Sequence, residues 1–108
     1  MSTTPVLVFV TFTDLDEATA VARALVAEHL AAGANLLPVA RSVYLWKGEV
    51  CEHPEVLMVA ESTRERFEAL RERVLALHSY EVPKIVSVDI AQGHPPYLDW
   101  LRAHSRPG

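Results

Sequence analysis

The first apolar stretch, Pro5 to Thr13, is almost continuously hydrophobic or β-branched (Val6, Leu7, Val8, Phe9, Val10, Thr11, Phe12). It is too short for a typical helix and too apolar for a half-exposed strand, so it predicts a strand central to a sheet. The period then changes. Asp14 with Glu17 three residues on reads as a capping box, and Ala18, Val21, Ala22, Leu25, Val26 and Leu30 fall on one broad helical face. Gly33 is expected to stop that helix in a left-handed C-terminal conformation.

From Ala34 to Ser62 the pattern is β again, with Leu36, Val39, Val43, Tyr44, Leu45 and Trp46 on one arm and Val50, Val56, Leu57, Met58 and Val59 on the other. Lys47-Gly48 sits where the arms should turn. Pro38 and Pro54 cannot donate a ladder hydrogen bond, so each predicts a bulge or an unpaired edge position. Ser62 and Glu65 suggest a second capping box, followed by Phe67, Leu70, Val74 and Leu77 at helical spacing among Arg and Glu residues that read as a solvated face. Lys84 to Ile90 alternates as a last strand, and a proline at 95 or 96 suits the first turn of a short closing helix.

The order is strand, helix, strand, strand, helix, strand and a terminal helix, the split βαβ arrangement of a ferredoxin-like α+β fold, with residues 1–108 as one domain. Both main helices then cover one sheet face. The other face needs a cover of its own, because the first strand is apolar on both sides. The hairpin arms, at about 13 residues, also overhang their neighbours by roughly 15 Å. A free two-stranded ribbon is marginal in water, so a second copy of the chain is the expected cover, by sheet extension.

Composition narrows the function classes. Half of the 108 residues are hydrophobic, and ten basic against fourteen acidic residues give a formal charge of −4. The charges are scattered, which argues against a nucleic-acid partner. No apolar run approaches the roughly 20 residues of a membrane helix, and no basic segment precedes an apolar one near Met1. Cytoplasmic residence without membrane association is the expectation. Cys51 is the single cysteine, so no internal disulfide can form.

Four stretches resemble the CutA divalent-ion-tolerance family: residues 30–35 (Leu-Ala-Ala-Gly-Ala-Asn), 42–49 (Ser-Val-Tyr-Leu-Trp-Lys-Gly-Glu), 77–83 (Leu-His-Ser-Tyr-Glu-Val-Pro) and 97–101 (Tyr-Leu-Asp-Trp-Leu). The similarity runs in register from about Val6 to about Arg102. The resemblance implies a ferredoxin-like homotrimer with clefts between subunits, and a role in response to or tolerance of copper and other divalent metals. The chain departs from the family pattern at Gly33, where many relatives carry Cys; at or near Val10, where some bacterial relatives do; and at Ser79, where Pro is usual. Glu61 also stands where relatives commonly place Lys. The metal reading thus rests on His78, with copper or another divalent cation as the expected ligand.

Several side chains could carry chemistry. Tyr44, Trp46, Lys47, Glu61, His78, Tyr80 and Glu81 could line an intersubunit cleft offering a carboxylate, an imidazole and a phenol to a metal or a small polar ligand. The simpler alternative is that His78 caps helical carbonyls and Tyr80 anchors an interface. Cys51 and His53, two apart on a strand, face the same way and would suit copper or zinc. Two ligands do not make a site, and a surface thiol beside a solvated imidazole explains them as well. His29 reads as a packed or capping residue of the first helix; His94 and His104 have no evident partners. No phosphate loop, nucleophile elbow or His-Glu-x-x-His pattern is present, so a binding protein is expected in preference to an enzyme. The competing function is a PII-like sensor or adaptor that binds a metabolite in the same cleft.

Overall fold

The computed structural model describes residues 3–107. Four strands, β1 (Pro5–Phe12), β2 (Gly33–Trp46), β3 (Glu49–Thr63) and β4 (Ile85–Asp89), form one sheet in the order β2-β3-β1-β4, every pair antiparallel. Helices α1 (Leu15–Ala27) and α2 (Phe67–Leu77) follow β1 and β3, and α3 (Pro95–His104) closes the chain. This is the α+β, ferredoxin-like arrangement that the order of periodicities predicts.

Alternation along the strands decides which face is core. Val6, Val8, Val10 and Phe12 of β1, with Met58 and Ala60 of β3, are buried against Ala18, Val21 and Leu25 of α1 and Leu70 and Val74 of α2. Intervening positions point to the opposite face, where Leu7, Phe9, Leu57 and Val59 are half-buried and Leu37, Val86 and Val88 are exposed. Only one end of that face is covered. Trp100 of α3 packs there near Gly33 and Glu61, and Leu101 is buried outside the main core.

β1 meets β3 only as far as Phe12↔Val56, so among the described residues Glu49–Glu55 has β2 as its sole strand partner and runs out as a two-stranded ribbon. Its tip turns at Lys47 and Gly48, with φ of 50° and 80°, the doubly left-handed turn that matches strand twist. A bulge lies between Val39↔Glu55 and Ser42↔His53, opposite Pro54, where the missing amide donor leads one to expect a break in the ladder.

Two expected helix ends differ from the structure. α1 ends at Ala27, and the left-handed residue is His29 (φ 58°), not Gly33, which begins β2. The Leu30 and Ala31 amides both donate to the Leu25 carbonyl, so the last turn is closed before the glycine is reached. His29 is exposed on this turn, and its carbonyl accepts from Arg66. At α2, Ser62 does not cap. Its hydroxyl is buried on β3 and donates to the Leu30 carbonyl at 2.7 Å, and a 3₁₀ turn at Arg64–Arg66 starts the helix instead. The first capping box is half formed: Asp14 accepts from the Glu17 amide at 2.8 Å, while the Glu17 carboxylate accepts from the Ser79 amide and ties α1 to the loop after α2.

Candidate functional site

Where the ribbon leaves the sheet, the loop between α2 and β4 folds over its base and encloses a cavity of about 630 Å³. Tyr44 and Trp46 line it from β2, Glu55 from β3, Tyr80 and Glu81 from the loop, and Lys84 from the approach to β4. Four of the expected cleft residues therefore come together. Lys47 reaches the group through Glu81, at 3.9 Å, an exposed and hence weak ion pair.

Glu55 is the residue that sequence reasoning missed. It is buried, its side chain only 7% exposed, and it accepts a 2.6 Å hydrogen bond from the Tyr80 hydroxyl. His53 Nε2 lies 3.8 Å from the same carboxylate oxygen, and His53 Nδ1 is 3.1 Å from the Tyr44 hydroxyl. Phenol, imidazole, carboxylate and phenol thus form a chain of contacts in which Tyr44, Glu55 and Tyr80 line the cavity and His53 links Tyr44 to Glu55. Burial, then the Glu55 hydrogen bond and charge, push the Tyr80 phenol well above the ordinary tyrosine range. Desolvation raises Tyr44 too, followed by the nearby Cys51 and Glu55. A glutamate opening an apolar run, Glu55-Val56-Leu57-Met58-Val59, was the available signal. His53 turns toward Tyr44 and Glu55, and the Cys51 thiol lies 3.8 Å from the Glu49 carbonyl.

His78 sits beneath this wall. Its ring stacks on Phe12 (centroids 4.5 Å apart, planes 13° apart), and Nε2 is 2.7 Å from the Thr11 carbonyl. The Tyr80 amide donates to Nδ1 at 3.0 Å. A carbonyl can only accept and an amide can only donate, so these contacts assign the proton to Nε2, and the one acceptor lone pair, on Nδ1, is taken by the Tyr80 amide. In this arrangement His78 positions the loop and offers no donor to a metal.

Glu61 lies elsewhere. Six residues along β3 from Glu55, about 20 Å at 3.3 Å per residue, it sits at the α3 end of the open face. Tyr97 hydrogen-bonds to it, and one of its oxygens would lie 3.3 Å from a Cβ placed on Gly33. Desolvation raises its pKa, partly offset by hydrogen bonds from its own backbone amide and from Tyr97. Within one chain, then, the seven expected cleft residues divide: Glu61 at one end of the face, the others at or beneath the cavity.

Among the described residues no three His, Cys, Asp or Glu side chains converge as a metal-binding group. Glu55 and Glu81 are the carboxylates on the cavity wall, hard oxygen donors that fall short of a closed site. One chain alone does not fit a resident copper ion. No helix among the described residues is long and apolar enough to cross a membrane.

The fold and site define a ferredoxin-like α+β protein with an extended ribbon and a polar, aromatic-walled cavity at the ribbon's base. The family model described as CutA1 divalent ion tolerance protein matches residues 6–104. The divalent-cation tolerance protein CutA of Thermus thermophilus is 46% identical over 99 residues, covering 92% of this chain and 96% of that protein. Mouse Protein CutA is 42% identical over 86% of this chain, which spans only 52% of the mouse protein. Among solved structures, the Thermus thermophilus divalent cation tolerance protein superposes with a TM-score of 0.92 at 44% identity, covering 94% of this chain and 99% of that one. CutA1 of Oryza sativa gives 0.92 at 32% identity, covering 97% and 96%. The chain belongs to the CutA1 divalent ion tolerance family.

Proposed function

We propose that this protein works as a homotrimer in the tolerance of divalent metal ions, and that it is a binding protein, not an enzyme. It takes copper or a similar cation weakly and reversibly at the cavity wall. The observation that carries this reading is Glu55: a buried carboxylate held in place by Tyr80 on the wall of a cavity, with Glu81 on the same wall. Two carboxylates and surrounding hydroxyls suit a partly hydrated cation bound with modest affinity. The trimer is supported by the half-covered apolar sheet face and by the ribbon beyond Val56, which has no third strand. Titration calorimetry with copper(II) and zinc(II), on the wild type and on Glu55→Gln and Glu81→Gln variants, tests the site. Loss of at least tenfold in affinity in either variant is expected; identical isotherms in all three proteins would reject it. Light scattering coupled to size exclusion tests the assembly, and a folded monomer at micromolar concentration would reject that.

A further inference from the structure

Glu61 is a charge problem the single chain leaves unsolved. It is half-buried on a face of apolar side chains, and among the described residues no Lys, Arg or His pairs with it. A desolvated carboxylate that receives hydrogen bonds only from its own amide and one phenol remains costly unless a cation meets it. Its surroundings suit a cation. Tyr97 donates to it, the Trp100 ring edge stands beside it over Gly33, and the two rings lie 5.5 Å apart and partly exposed. A carboxylate with two partly exposed aromatic rings beside it suits an ammonium or guanidinium partner.

Most cations of the chain are already engaged. Arg41, Lys47, Arg64, Arg71, Arg73 and Arg102 pair with carboxylates, and Arg66 donates to a carbonyl. Of the remaining described cations, Arg23 is on α1, behind the sheet, and Arg106 lies beyond α3. Lys84 belongs to the open face. It precedes Ile85, which pairs with Val10 and packs on the core, so strand alternation sends Lys84 to the same side as Val86 and Val88.

Lys84 and Glu61 cannot meet within one chain. Extending the β1–β4 register places Lys84 beside Thr11, while Glu61 is opposite Leu7. Four residues along and two strands across put them about 16 Å apart on the sheet. They stand at opposite ends of one half-covered face, Lys84 at the open ribbon end and Glu61 at the α3 end.

We propose that Lys84 of one copy inserts between Glu61, Tyr97 and Trp100 of the next, so that the cavity at the ribbon base of each subunit is completed by its neighbour's α3 end. This rests on the trimeric reading above and adds its direction. A plus patch and a minus patch at different places make a heterologous, head-to-tail contact, which closes into a three-membered ring when successive copies are turned by a third of a revolution. It also explains how Glu61 can share a cleft with Tyr44, Trp46, Tyr80 and Glu81 although one chain holds it about 20 Å from Glu55.

Charge reversal tests the pair. Glu61→Lys, Lys84→Glu and the double exchange are compared with the wild type by light scattering across a dilution series, with far-ultraviolet circular dichroism to verify folding. Each single reversal sets like charges against one another and is expected to weaken assembly at least tenfold; the double exchange restores it to within about threefold of wild type. Glu61→Gln, which removes the charge with little change of shape, is expected to fall between. If the wild type is trimeric and both single reversals assemble equally well, the pair is wrong and the trimer stands. A double exchange as impaired as the two singles combined also overturns the pair. A wild type that stays monomeric removes the trimer and this contact with it.

Discussion

Tyr80→Phe removes one hydroxyl and leaves Glu55 buried without its 2.6 Å donor. Hydrogen bonds to charged groups are worth about 1.5–3 kcal/mol, and removing one partner also exposes the desolvation cost of the other. The Glu55 side chain is 7% exposed, so water cannot easily replace the donor, whereas Tyr80 itself is only half-buried. The lower half of the range, about 1.5–2 kcal/mol, is therefore the expected loss. For a chain of this length each kcal/mol corresponds to roughly 4 °C, so the midpoint should fall by about 6–8 °C. The assay is urea and thermal unfolding of Tyr80→Phe, Glu55→Gln and the double variant, all at one protein concentration because assembly is linked to stability. A second signature comes from pH. The folded state holds the Tyr80 proton above the ordinary value of 10.0, so stability is complete below that pH and falls as pH rises beyond it toward the folded value. Without the phenol that alkaline loss should be shallower. A cost under about 0.5 kcal/mol together with an unchanged alkaline slope would refute the reasoning.

Two further substitutions separate positioning from ligand binding. His78→Ala forfeits the stack on Phe12 and two backbone hydrogen bonds, an expected loss of about 2–4 kcal/mol in urea unfolding with the copper isotherm unchanged; a tenfold loss of copper affinity in a stably folded variant would restore the imidazole as a ligand. Gly93→Ala brings a methyl group to 2.9, 3.1 and 3.2 Å from three side-chain carbons of Leu98, too close for that side chain at the start of α3 to keep its place. A loss of about 1–3 kcal/mol is expected in place of the usual small gain from removing a glycine, and a stabilised variant would show that the Leu98 side chain moves aside freely.

Element order was legible because each element declares its own period, and the Lys47-Gly48 turn because few residue pairs suit two successive left-handed positions. The misread positions share a cause. Ser62 has the spacing of a cap, but strand alternation turns it inward to the Leu30 carbonyl, and a buried hydroxyl takes the nearest acceptor. Gly33 looks like a helix stop, yet α1 had ended at the His29 turn, so this glycine instead leaves room for Glu61 and Trp100. At the site, Tyr44, Trp46, Tyr80 and Glu81 were legible as aromatic and charged residues in β and loop segments. Glu55 was not, because its burial depends on the loop that folds across it. The separation of Glu61 from Tyr44 and Trp46 follows from the hairpin, whose turn sets its register, whereas the place of Tyr80 and Glu81 depends on how their loop folds back over the ribbon.

Tyr80 and Glu55 also explain why the cavity sits where it does. Past Phe12↔Val56, the ribbon keeps only its own two strands, an arrangement that water destabilises. Two side-chain ties join the ribbon to the α2–β4 loop: Lys47–Glu81 at the tip and Tyr80–Glu55 at the base. The first joins exposed partners at 3.9 Å, where solvent and salt screen most of the attraction. The second is short and buried, and behind it His78 is fixed to Thr11 of β1 and to the Tyr80 amide, so the loop is anchored to the sheet on one side and to the ribbon on the other. The bond that shapes the cavity is therefore the same one that steadies the ribbon, and any change at Glu55 must register in both. Cation affinity and ribbon order should accordingly fall together in Glu55→Gln. Hydrogen exchange at the amides of residues 49–53 and 55, faster in that variant than in the wild type, would reveal the coupling; unchanged protection would show that the ribbon is held by something other than this bond.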